Sequence, residues 1–574
     1  MVRSIFFSIL FFFLASPFLR GQSEHLLIKN IHYIDVLNGR AILGDVAVQD
    51  GRIIQIGTHL KTRDGVMEID GSNRWLIPGL VDAHIHLFQS GGIYTRPDVV
   101  DLTDYKSYPD EIKWLNDHAS DLLKRYLRCG ITTVIDVGGP FTNYAIRDRY
   151  KDLNNYPNLF VTGPLVSTYQ PKAFDIEDAP IIKVNSKQEA IALVQKQLPY
   201  EPDFIKIWYI VLPGQSAEST YDIIEATIRE SHKNGLKVAV HATQLETAKL
   251  AMKAGADILV HSVDDPVDDD FIRLIQEKDV VYIPTLIVHG KYVETLTQRL
   301  SLTMEDFLYS NPFALGSLSD PQHYPKGNIM ENYPARAPKM WSSLERRDSI
   351  RGANLKRLSQ LPIVISTGTD AGNIGTLHGS SYFTEIDLMK KAGLSNAQIL
   401  KASTINGAKV LGKEQELGSV TKGKIADLVI LNANPLEDIN ALKDIQYVIK
   451  SGHLMAVDSI LDVTPEILVQ QQLNAYNAKN IDAFLAPYSD DVTLYNFPNE
   501  IIGQGKEAIT PGYRRFFSAN PNLHCEIVER ILLGNTVIDH ERVTGLANGK
   551  TIDAVAIYKI EHNKISKVYF IRKN

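Results

Sequence analysis

Cysteine, an excess of positive charge and long hydrophobic runs are all scarce in this chain of 574 residues. Its two cysteines, Cys129 and Cys525, lie far apart in the sequence, so they cannot supply a disulfide framework or a cysteine-built zinc site. Lys and Arg number 60 against 67 Asp and Glu, a formal net charge of −7. Because nucleic-acid-binding proteins usually carry a basic excess, we expect no nucleic-acid partner.

One longer apolar run is present, at the N-terminus, where residues 5–15 follow the basic start of the chain. This run is too short to span a bilayer, and Pro17 follows it closely. We interpret residues 1–21 as a secretory signal peptide, with an uncleaved membrane anchor as the alternative. Cleavage predicts a secreted or periplasmic protein with no stable membrane insertion.

From residue 77 onward, apolar strands alternate with amphipathic stretches, which is typical of buried parallel strands covered by helices. Eight such units predict an α/β fold, a (β/α)8 TIM barrel over residues 77–414. A helix is expected over residues 219–233. The predicted barrel strands are 77–85, 131–137, 159–166, 204–208, 238–241, 258–261, 280–287 and 363–367.

Short alternating strands precede and follow the barrel. Neither set is large enough to bury a core alone, so residues 22–76 and 415–458 are predicted to join in one small composite β-sandwich domain. The chain restarts with a helix capped by Thr464, and residues 464–574 have the length of a separate domain.

Polar side chains end the predicted barrel strands. The first strand ends in Asp-Ala-His-Ile-His, and strand alternation places His84 and His86 on the same side. Active sites of such barrels lie at the carboxyl ends of the strands, and imidazole and carboxylate are ligands that zinc prefers. The other candidate residues, from strands four, five, six and eight, are Lys206, His241, His261 and Asp370.

Residues 25–455 resemble the metal-dependent amidohydrolase superfamily. The motifs that carry the resemblance are Pro-Gly-Leu-Val-Asp-Ala-His-Ile-His at 78–86, Gly-Ile-Thr-Thr-Val at 130–134 and Gly-Lys-Ile-Ala-Asp-Leu-Val at 423–429. The order His-x-His, Lys, His, His, Asp is similar to the binuclear subtype, and within the superfamily to the imidazolonepropionase-like and prolidase-like dipeptidase groups.

The resemblance implies two divalent metal ions, expected to be zinc. His84, His86 and Asp370 would hold the inner ion, and His241 and His261 the outer one. Lys206, carboxylated by CO2, would bridge them, and burial favours the neutral amine that this addition needs. The implied activity is a secreted hydrolase of a C–N bond in an amide or small peptide, in which a metal-bridging hydroxide attacks and Asp370 is the general acid and base.

Two alternatives stay open. If Lys206 is an ordinary amine, a mononuclear cyclic-amide hydrolase or a deaminase is favoured. The second alternative is a ligand-binding or assembly protein that acts through its C-terminal domain and whose barrel is inactive. The complete set of predicted ligand residues argues against this alternative. A homo-oligomer is expected, because both families that the chain resembles commonly self-associate.

Three further residues are candidates for substrate binding. Tyr209 and His289 lie just past strand ends and are candidates to bind a substrate carbonyl or carboxylate. For each, a packed or solvated loop side chain without a role in binding is an equally favoured interpretation. His378 follows Asp370 and resembles a position often seen near the site. The long segment 289–341 is expected to form a lid or a pocket wall.

Residues 464–574 resemble the SnoaL-like, nuclear-transport-factor-like family, through segments 473–482, 490–492, 522–524 and 538–541. This implies a cone-shaped α+β domain around a pocket. Asp539 and Glu541 share one strand face, and a carboxylate there could shuttle a proton. Surface ion pairs in a dimerisation or ligand-binding domain are the favoured alternative.

Overall fold

The computed structural model describes residues 25–572. The predicted signal peptide, residues 1–21, lies outside this part of the chain. No helix between residues 25 and 572 is long and apolar enough to cross a membrane. The N-terminal strands are β1 Leu26–Asp35, β2 Arg40–Gln49, β3 Arg52–Gly57, β4 Met67–Asp70 and β5 Trp75–Pro78.

Nine strands and thirteen helices then form the central α/β region of the described chain. The strands are β6 Leu80–Ile85, β7 Ile131–Asp136, β8 Asn158–Val161, β9 Leu165–Ser167, β10 Ile181–Lys183, β11 Ile205–Trp208, β12 Val238–His241, β13 Ile258–Val260 and β14 Val281–Ile283. The first six helices are α1 Tyr108–Arg128, α2 Thr142–Tyr150, α3 Lys187–Gln197, α4 Tyr221–Lys233, α5 Leu245–Ala254 and α6 Asp269–Glu277. The later ones are α7 Ile287–Leu296, α8 Met304–Tyr309, α9 Pro312–Ser317, α10 Tyr333–Ser359, α11 Ser381–Lys391, α12 Asn396–Ala402 and α13 Ile405–Val410.

The central strands form two parallel sheets rather than one continuous ring. One sheet has the order β6-β7-β8 and the other β10-β9-β11-β12-β13-β14. Single parallel bridges, Tyr282 to Ile365 and Ile85 to Ala371, connect β14 and β6 through the segment 363–371. Parallel strands with covering helices confirm the predicted α/β class.

The strands on either side of the barrel join as predicted. β15 Leu428–Leu431, β16 Ile445–Lys450 and β17 His453–Ala456 extend the N-terminal strands into one eight-stranded sheet. Its order is β17-β16-β15-β5-β1-β2-β3, and β4 pairs with β1. β15 lies antiparallel to β5, so the sheet spans both ends of the barrel segment.

The C-terminal domain combines three helices with a six-stranded sheet. Its elements are α14 Pro465–Asn477, α15 Ile481–Leu485, β18 Tyr488–Asn496, β19 Glu500–Gln504, α16 Lys506–Ala519, β20 His524–Leu533, β21 Thr536–Thr544, β22 Ile552–Glu561 and β23 Lys564–Arg572. The sheet order is β19-β18-β23-β22-β21-β20. The Thr464 hydroxyl accepts a hydrogen bond from the Ile467 amide, so it caps α14 as predicted.

Four predicted strands differ from the observed ones. Segment 77–85 is divided at Gly79 between β5 and β6, which belong to different sheets. Segment 159–166 is divided into β8 and β9, and segment 280–287 ends at Ile283, four residues before α7 begins. Segment 363–367 makes one bridge and no regular strand. The expected lid 289–341 is largely helical, and predicted helix 219–233 begins with a 3-10 turn before α4.

Gly79 is required where the chain passes from the sheet to the barrel. A Cβ atom at this position would lie 2.8 Å from Thr132 Cβ, so the side chain of β7 leaves no space for one. The Gly79 amide donates to the Asp427 carbonyl at 2.8 Å, and the next amide, of Leu80, donates to Gly130 at 3.0 Å. The backbone therefore changes its pairing partner within two residues.

We expect Gly79→Ala to lower the free energy of unfolding by about 1–3 kcal/mol, because the added methyl group overpacks the contact with Thr132. The matched control is Gly352→Ala in α10, where an added Cβ would make an ordinary contact at 3.9 Å with Ala392. Differential scanning calorimetry measures both variants. Equal melting temperatures for the two would contradict the packing argument.

Candidate metal centre

The Asp370 carboxylate lies at the centre of the candidate site. Its Oδ1 is 3.1 Å from His86 Nε2 and 3.3 Å from His84 Nε2, and its Oδ2 is 3.8 Å from His261 Nδ1. The Asp370 amide donates to the His84 carbonyl at 2.7 Å, which fixes the segment after position 367 against β6. Asp370 and His261 adopt φ values of 63° and 77°, a conformation that non-glycine residues hold only where their surroundings enforce it.

β6 directs two histidines toward this carboxylate. Alternation along the strand places His84 and His86 on one side, and their Nε2 atoms are 3.4 Å apart. His86 Nδ1 lies 2.8 Å from the Gly138 carbonyl, so it carries the proton and donates. The lone pair of His86 Nε2 therefore faces Asp370, which is the arrangement of a metal-binding histidine.

The opposite wall comes from consecutive parallel strands. Lys206 lies within β11, His241 ends β12, and His261 follows β13 directly. The ring centroid of His261 is 4.4 Å from that of His241 and 4.8 Å from that of His84. The structure thus gathers the six residues predicted as ligands at one end of the parallel strands: His84, His86, Lys206, His241, His261 and Asp370.

Burial sets the charges of these groups. It lowers the pKa of Lys206 to about 7 and that of His84 to about 4, and it holds the pKa values of His241 and His261 well below the usual range. Burial alone would raise the pKa of Asp370, but the surrounding histidines hold it well below its usual range. His84, His241 and His261 are therefore neutral imidazoles and Asp370 is an ionised carboxylate, the protonation states that metal binding requires.

Three buried polar atoms of this cluster lack a hydrogen-bond partner: Lys206 Nζ, His84 Nδ1 and Asp370 Oδ1. Each such atom costs about 1–3 kcal/mol when left unsatisfied in the interior. Within residues 25–572, His84, His86 and Asp370 form the one group of three ligand residues whose ligand atoms lie within 4.8 Å of one another. Nitrogen and carboxylate donors at this spacing fit a divalent cation.

A cavity of about 790 Å³ opens onto the cluster. His289, predicted to contact substrate, lines it beside His241 and His261. Tyr209 and His378 are not part of this lining. The Tyr209 hydroxyl donates to the Ala217 carbonyl at 2.6 Å. The two ring nitrogens of His378 lie 2.7 Å from the Tyr126 hydroxyl and 2.8 Å from the Gln89 carbonyl.

One face of α10 forms a basic wall that sequence reasoning missed. Arg336, Lys339, Ser343 and Arg347 recur at helical spacing and all line the cavity. Arg347 lies 3.6 Å from Asp264, whereas Arg336 and Lys339 have no acidic partner among the described residues. The spacing of these residues in the sequence indicates that they share one face of a helix, but it does not indicate that this face lines the cavity.

Comparison with known families settles the class of the barrel. Residues 75–455 match the model of the amidohydrolase family. The chain belongs to the amidohydrolase family. Residues 469–568 match the SnoaL-like domain, so both predicted resemblances are confirmed. Members of the first family are hydrolases that act on C–N bonds and generally bind a divalent metal, for which the Asp370 cluster is the candidate site.

Curated relatives and solved structures cover most of this amidohydrolase. The 5'-deoxyadenosine deaminase of Methanobrevibacter smithii is 22% identical over 438 residues, which cover 72% of this chain and 86% of the relative. The enzyme of the same name from Methanothermobacter thermautotrophicus is also 22% identical, over 490 residues, which cover 80% of this chain and 99% of the relative.

Among solved structures, a Xaa-Pro dipeptidase with bound methionine is 23% identical, with a TM-score of 0.58. The match covers 75% of this chain and 100% of the dipeptidase chain. Molinate hydrolase is 20% identical, with a TM-score of 0.58, and the match covers 78% of this chain and 97% of the hydrolase chain. These structural likenesses support the fold.

Two buried aspartates behind the ligands of this amidohydrolase were not predicted. Asp82, two residues before His84, accepts hydrogen bonds from the Thr369 amide at 3.0 Å and hydroxyl at 2.7 Å. Asp136 accepts from the amides of Leu87 and Gly138 at 3.0 and 3.1 Å. Burial raises the pKa of each to about 7. They tie the loops that carry the histidines and Asp370 to β6 and β7.

We expect Thr369→Val to weaken metal binding about 10–100-fold, as loss of a ligand-supporting hydrogen bond does. The Thr369 hydroxyl donates to Asp82 and accepts from the Ala371 amide at 3.0 Å, so it holds Asp370 from both sides. Thr376→Val is the matched control, because the buried Thr376 hydroxyl has no hydrogen-bond partner. Competition with a chelator measures both affinities, and equal affinities would contradict this role.

Proposed function

We propose that this amidohydrolase is a secreted enzyme that cleaves the C–N bond of an amide or small peptide at a binuclear metal centre. The observation that carries the proposal is Lys206, a fully buried amine without a hydrogen-bond partner. Burial lowers its pKa to about 7, so a large share of the amine is neutral near neutral pH and can take up CO2. The resulting carbamate would supply the anionic ligand between the two groups of histidines.

His84, His86 and Asp370 would hold one ion, and His241 and His261 the other. Two bound divalent ions, of which zinc fits the nitrogen-rich donor set best, would lower the pKa of water and polarise a carbonyl group. Asp370 lines the cavity and stays ionised because the histidines lower its pKa. It would accept the proton of the attacking water at a carboxylate oxygen and pass it to the leaving nitrogen.

The cavity wall supports a substrate with an apolar part and an anionic group. Phe88, Trp208, Val288 and Leu344 line it, and so do Arg336 and Lys339, which have no acidic partner among the described residues. Asp370 is the one acidic residue in this lining, and its charge faces the histidines. N-acyl amino acids and dipeptides combine an amide bond with such an anion.

A deaminase is the second candidate. It is favoured by the two 5'-deoxyadenosine deaminases, which match most of this chain. A deaminase in which Lys206 stays an uncarboxylated amine would hold one metal ion, so metal content per chain distinguishes the two candidates. Two ions with a carboxylated Lys206 support the amide hydrolase, whereas one ion with a free amine supports the deaminase.

We expect protein purified without chelator to contain two metal ions per chain and the Lys206→Met variant to contain at most one. Methionine preserves the buried length of the side chain but cannot bind CO2. Mass spectrometry of the metals gives the count, and a crystal structure gives the state of the lysine. Two ions in Lys206→Met would refute the bridging role.

Asp370→Asn is expected to lower kcat for dipeptides or N-acyl amino acids by about 10²–10⁴-fold, the range for loss of a general acid–base group. Asp64→Asn, which makes the same change at an exposed position, serves as the control. Metal content is measured in parallel, so that loss of turnover is separated from loss of metal. Full turnover in metal-replete Asp370→Asn would refute the mechanism.

The basic wall is expected to act on KM. Arg336→Ala and Lys339→Ala should each raise KM for anionic substrates about two- to fivefold, because exposed charge pairs contribute about 1 kcal/mol or less. KM for the corresponding amides, which lack the charge, should stay unchanged. Lys356→Ala, on the same helix but outside the cavity, is the control. An equal rise for charged and uncharged substrates would contradict the assignment.

A further inference from the structure

The C-terminal domain encloses a second cavity, remote in the chain from the ligand cluster. Its volume is about 490 Å³, and helices α14, α15 and α16 close it against the concave sheet. Aromatic and aliphatic side chains make up most of the wall, and seven of its residues are aromatic. They include Tyr476, Phe484, Tyr488, Tyr513, Phe516 and Tyr558.

Glu541 brings an acidic group into this aromatic wall. It lies on β21, is only 8% exposed, and faces the cavity. The Tyr558 hydroxyl donates to Glu541 Oε1 at 2.8 Å, while the other carboxyl oxygen has no hydrogen-bond partner within residues 25–572. This second oxygen is therefore available to a partner that enters the cavity.

The neighbouring acid on the same strand face is satisfied and Glu541 is not. Asp539 is 1% exposed and receives two hydrogen bonds of 2.7 Å from the Arg530 guanidinium. Arg530 also donates to Gln470 at 2.9 Å. Asp539 therefore forms a structural ion pair, whereas Glu541 is the acid that the fold leaves available.

The groups around Glu541 offer little compensating charge. The ionisable side chains that line the cavity with Glu541 are Tyr476, Tyr488, Tyr513, Cys525, Tyr558 and, at the end of β23, Arg572. The paired charges of Asp539 and Arg530 also act on Glu541, with opposite signs. The tyrosines and the cysteine are neutral near pH 7. Arg572 is exposed and lies over the Phe570 ring at 5.7 Å. Burial raises the pKa of Glu541 to about 7, and the charge of Asp539 adds to this, whereas the Tyr558 hydroxyl and the Arg530 guanidinium lower it.

We propose that this cavity binds an organic ammonium ion, an aromatic or aliphatic amine, with Glu541 as its counter-ion. The ammonium group would occupy the open side of the Glu541 carboxylate and face the aromatic rings, which attract cations through their π faces. The apolar part of the amine would fill the remaining aromatic volume. A carboxylate would be repelled by Glu541, and a hydrocarbon would leave its oxygen unpaired.

The entrance lies between β19 and α16. Ile502 is 44% exposed and lines the cavity together with Gly512 of α16. A Cβ atom on Gly512 would meet nothing within 4 Å, so a side chain there would project into open space at the entrance. Gly512→Leu therefore offers a way to obstruct the cavity without altering Glu541.

The test is calorimetric titration of the full chain with benzylamine, benzyl alcohol and benzoate. Benzylamine is expected to bind with 1:1 stoichiometry and about tenfold or more tighter than benzyl alcohol, the margin of one charged hydrogen bond. Glu541→Gln should remove this preference and leave binding of the alcohol unchanged. Glu529→Gln, which removes one exposed acid from β20, should behave like the wild type.

Gly512→Leu should weaken benzylamine and benzyl alcohol alike, which places the binding in this cavity and not in the barrel. Circular dichroism checks that each variant is folded. The proposal would be overturned by absence of saturable benzylamine binding or by an unchanged benzylamine affinity in Glu541→Gln. Benzoate binding that is tighter than that of benzylamine and is weakened by Gly512→Leu would also overturn it. None of these results depends on metal content or on hydrolysis by the barrel.

Discussion

The contact of the Asp370 carboxylate with three histidines is the interaction on which the active end of the barrel depends. The same short segment connects β14 with β6, because it bridges Tyr282 on one side, while its backbone donates to the His84 carbonyl and its Thr369 hydroxyl donates to Asp82 on the other. In place of a regular strand, this segment is held by isolated backbone bridges and by side-chain hydrogen bonds. One consequence is that the position of Asp370 and the closure of the parallel strands cannot vary independently.

Burial of these polar strand ends has a free-energy cost that the protein alone does not offset. Lys206 Nζ and His84 Nδ1 are buried without hydrogen-bond partners. His261 and Asp370 adopt left-handed φ values, which strain the backbone at non-glycine residues. Such strain persists where surrounding structure enforces it, and here Asp82 and the strand backbones do so. A bound cation would repay the desolvation of its ligands, so metal binding and stability of the barrel are expected to be linked.

The sequence motifs sufficed for the fold class, the two families and the placement of all six candidate ligand residues at one end of the barrel. Periodicity failed where the chain changes partners. Gly79 interrupts one apolar run between two sheets because Thr132 occupies the space of a side chain. It also failed just past strand ends, where nothing in the pattern shows that the Tyr209 hydroxyl turns toward Ala217 while His289 faces the cavity. Which polar group meets a distant backbone carbonyl is decided by tertiary packing.

The two domains meet at helices α8 and α9 of the barrel segment. Residues of α8 and α9 share a hydrophobic cluster with α14, and Asn474 Nδ2 donates to the Pro312 carbonyl at 2.7 Å. Near this junction the Tyr94 hydroxyl donates to Asp320 at 2.6 Å. Tyr94 is two residues before Arg96, which lines the barrel cavity. The C-terminal domain thus packs against the outer side of the active-site wall. Since its own cavity is acidic where the barrel cavity is basic, the two sites are suited to ligands of opposite charge.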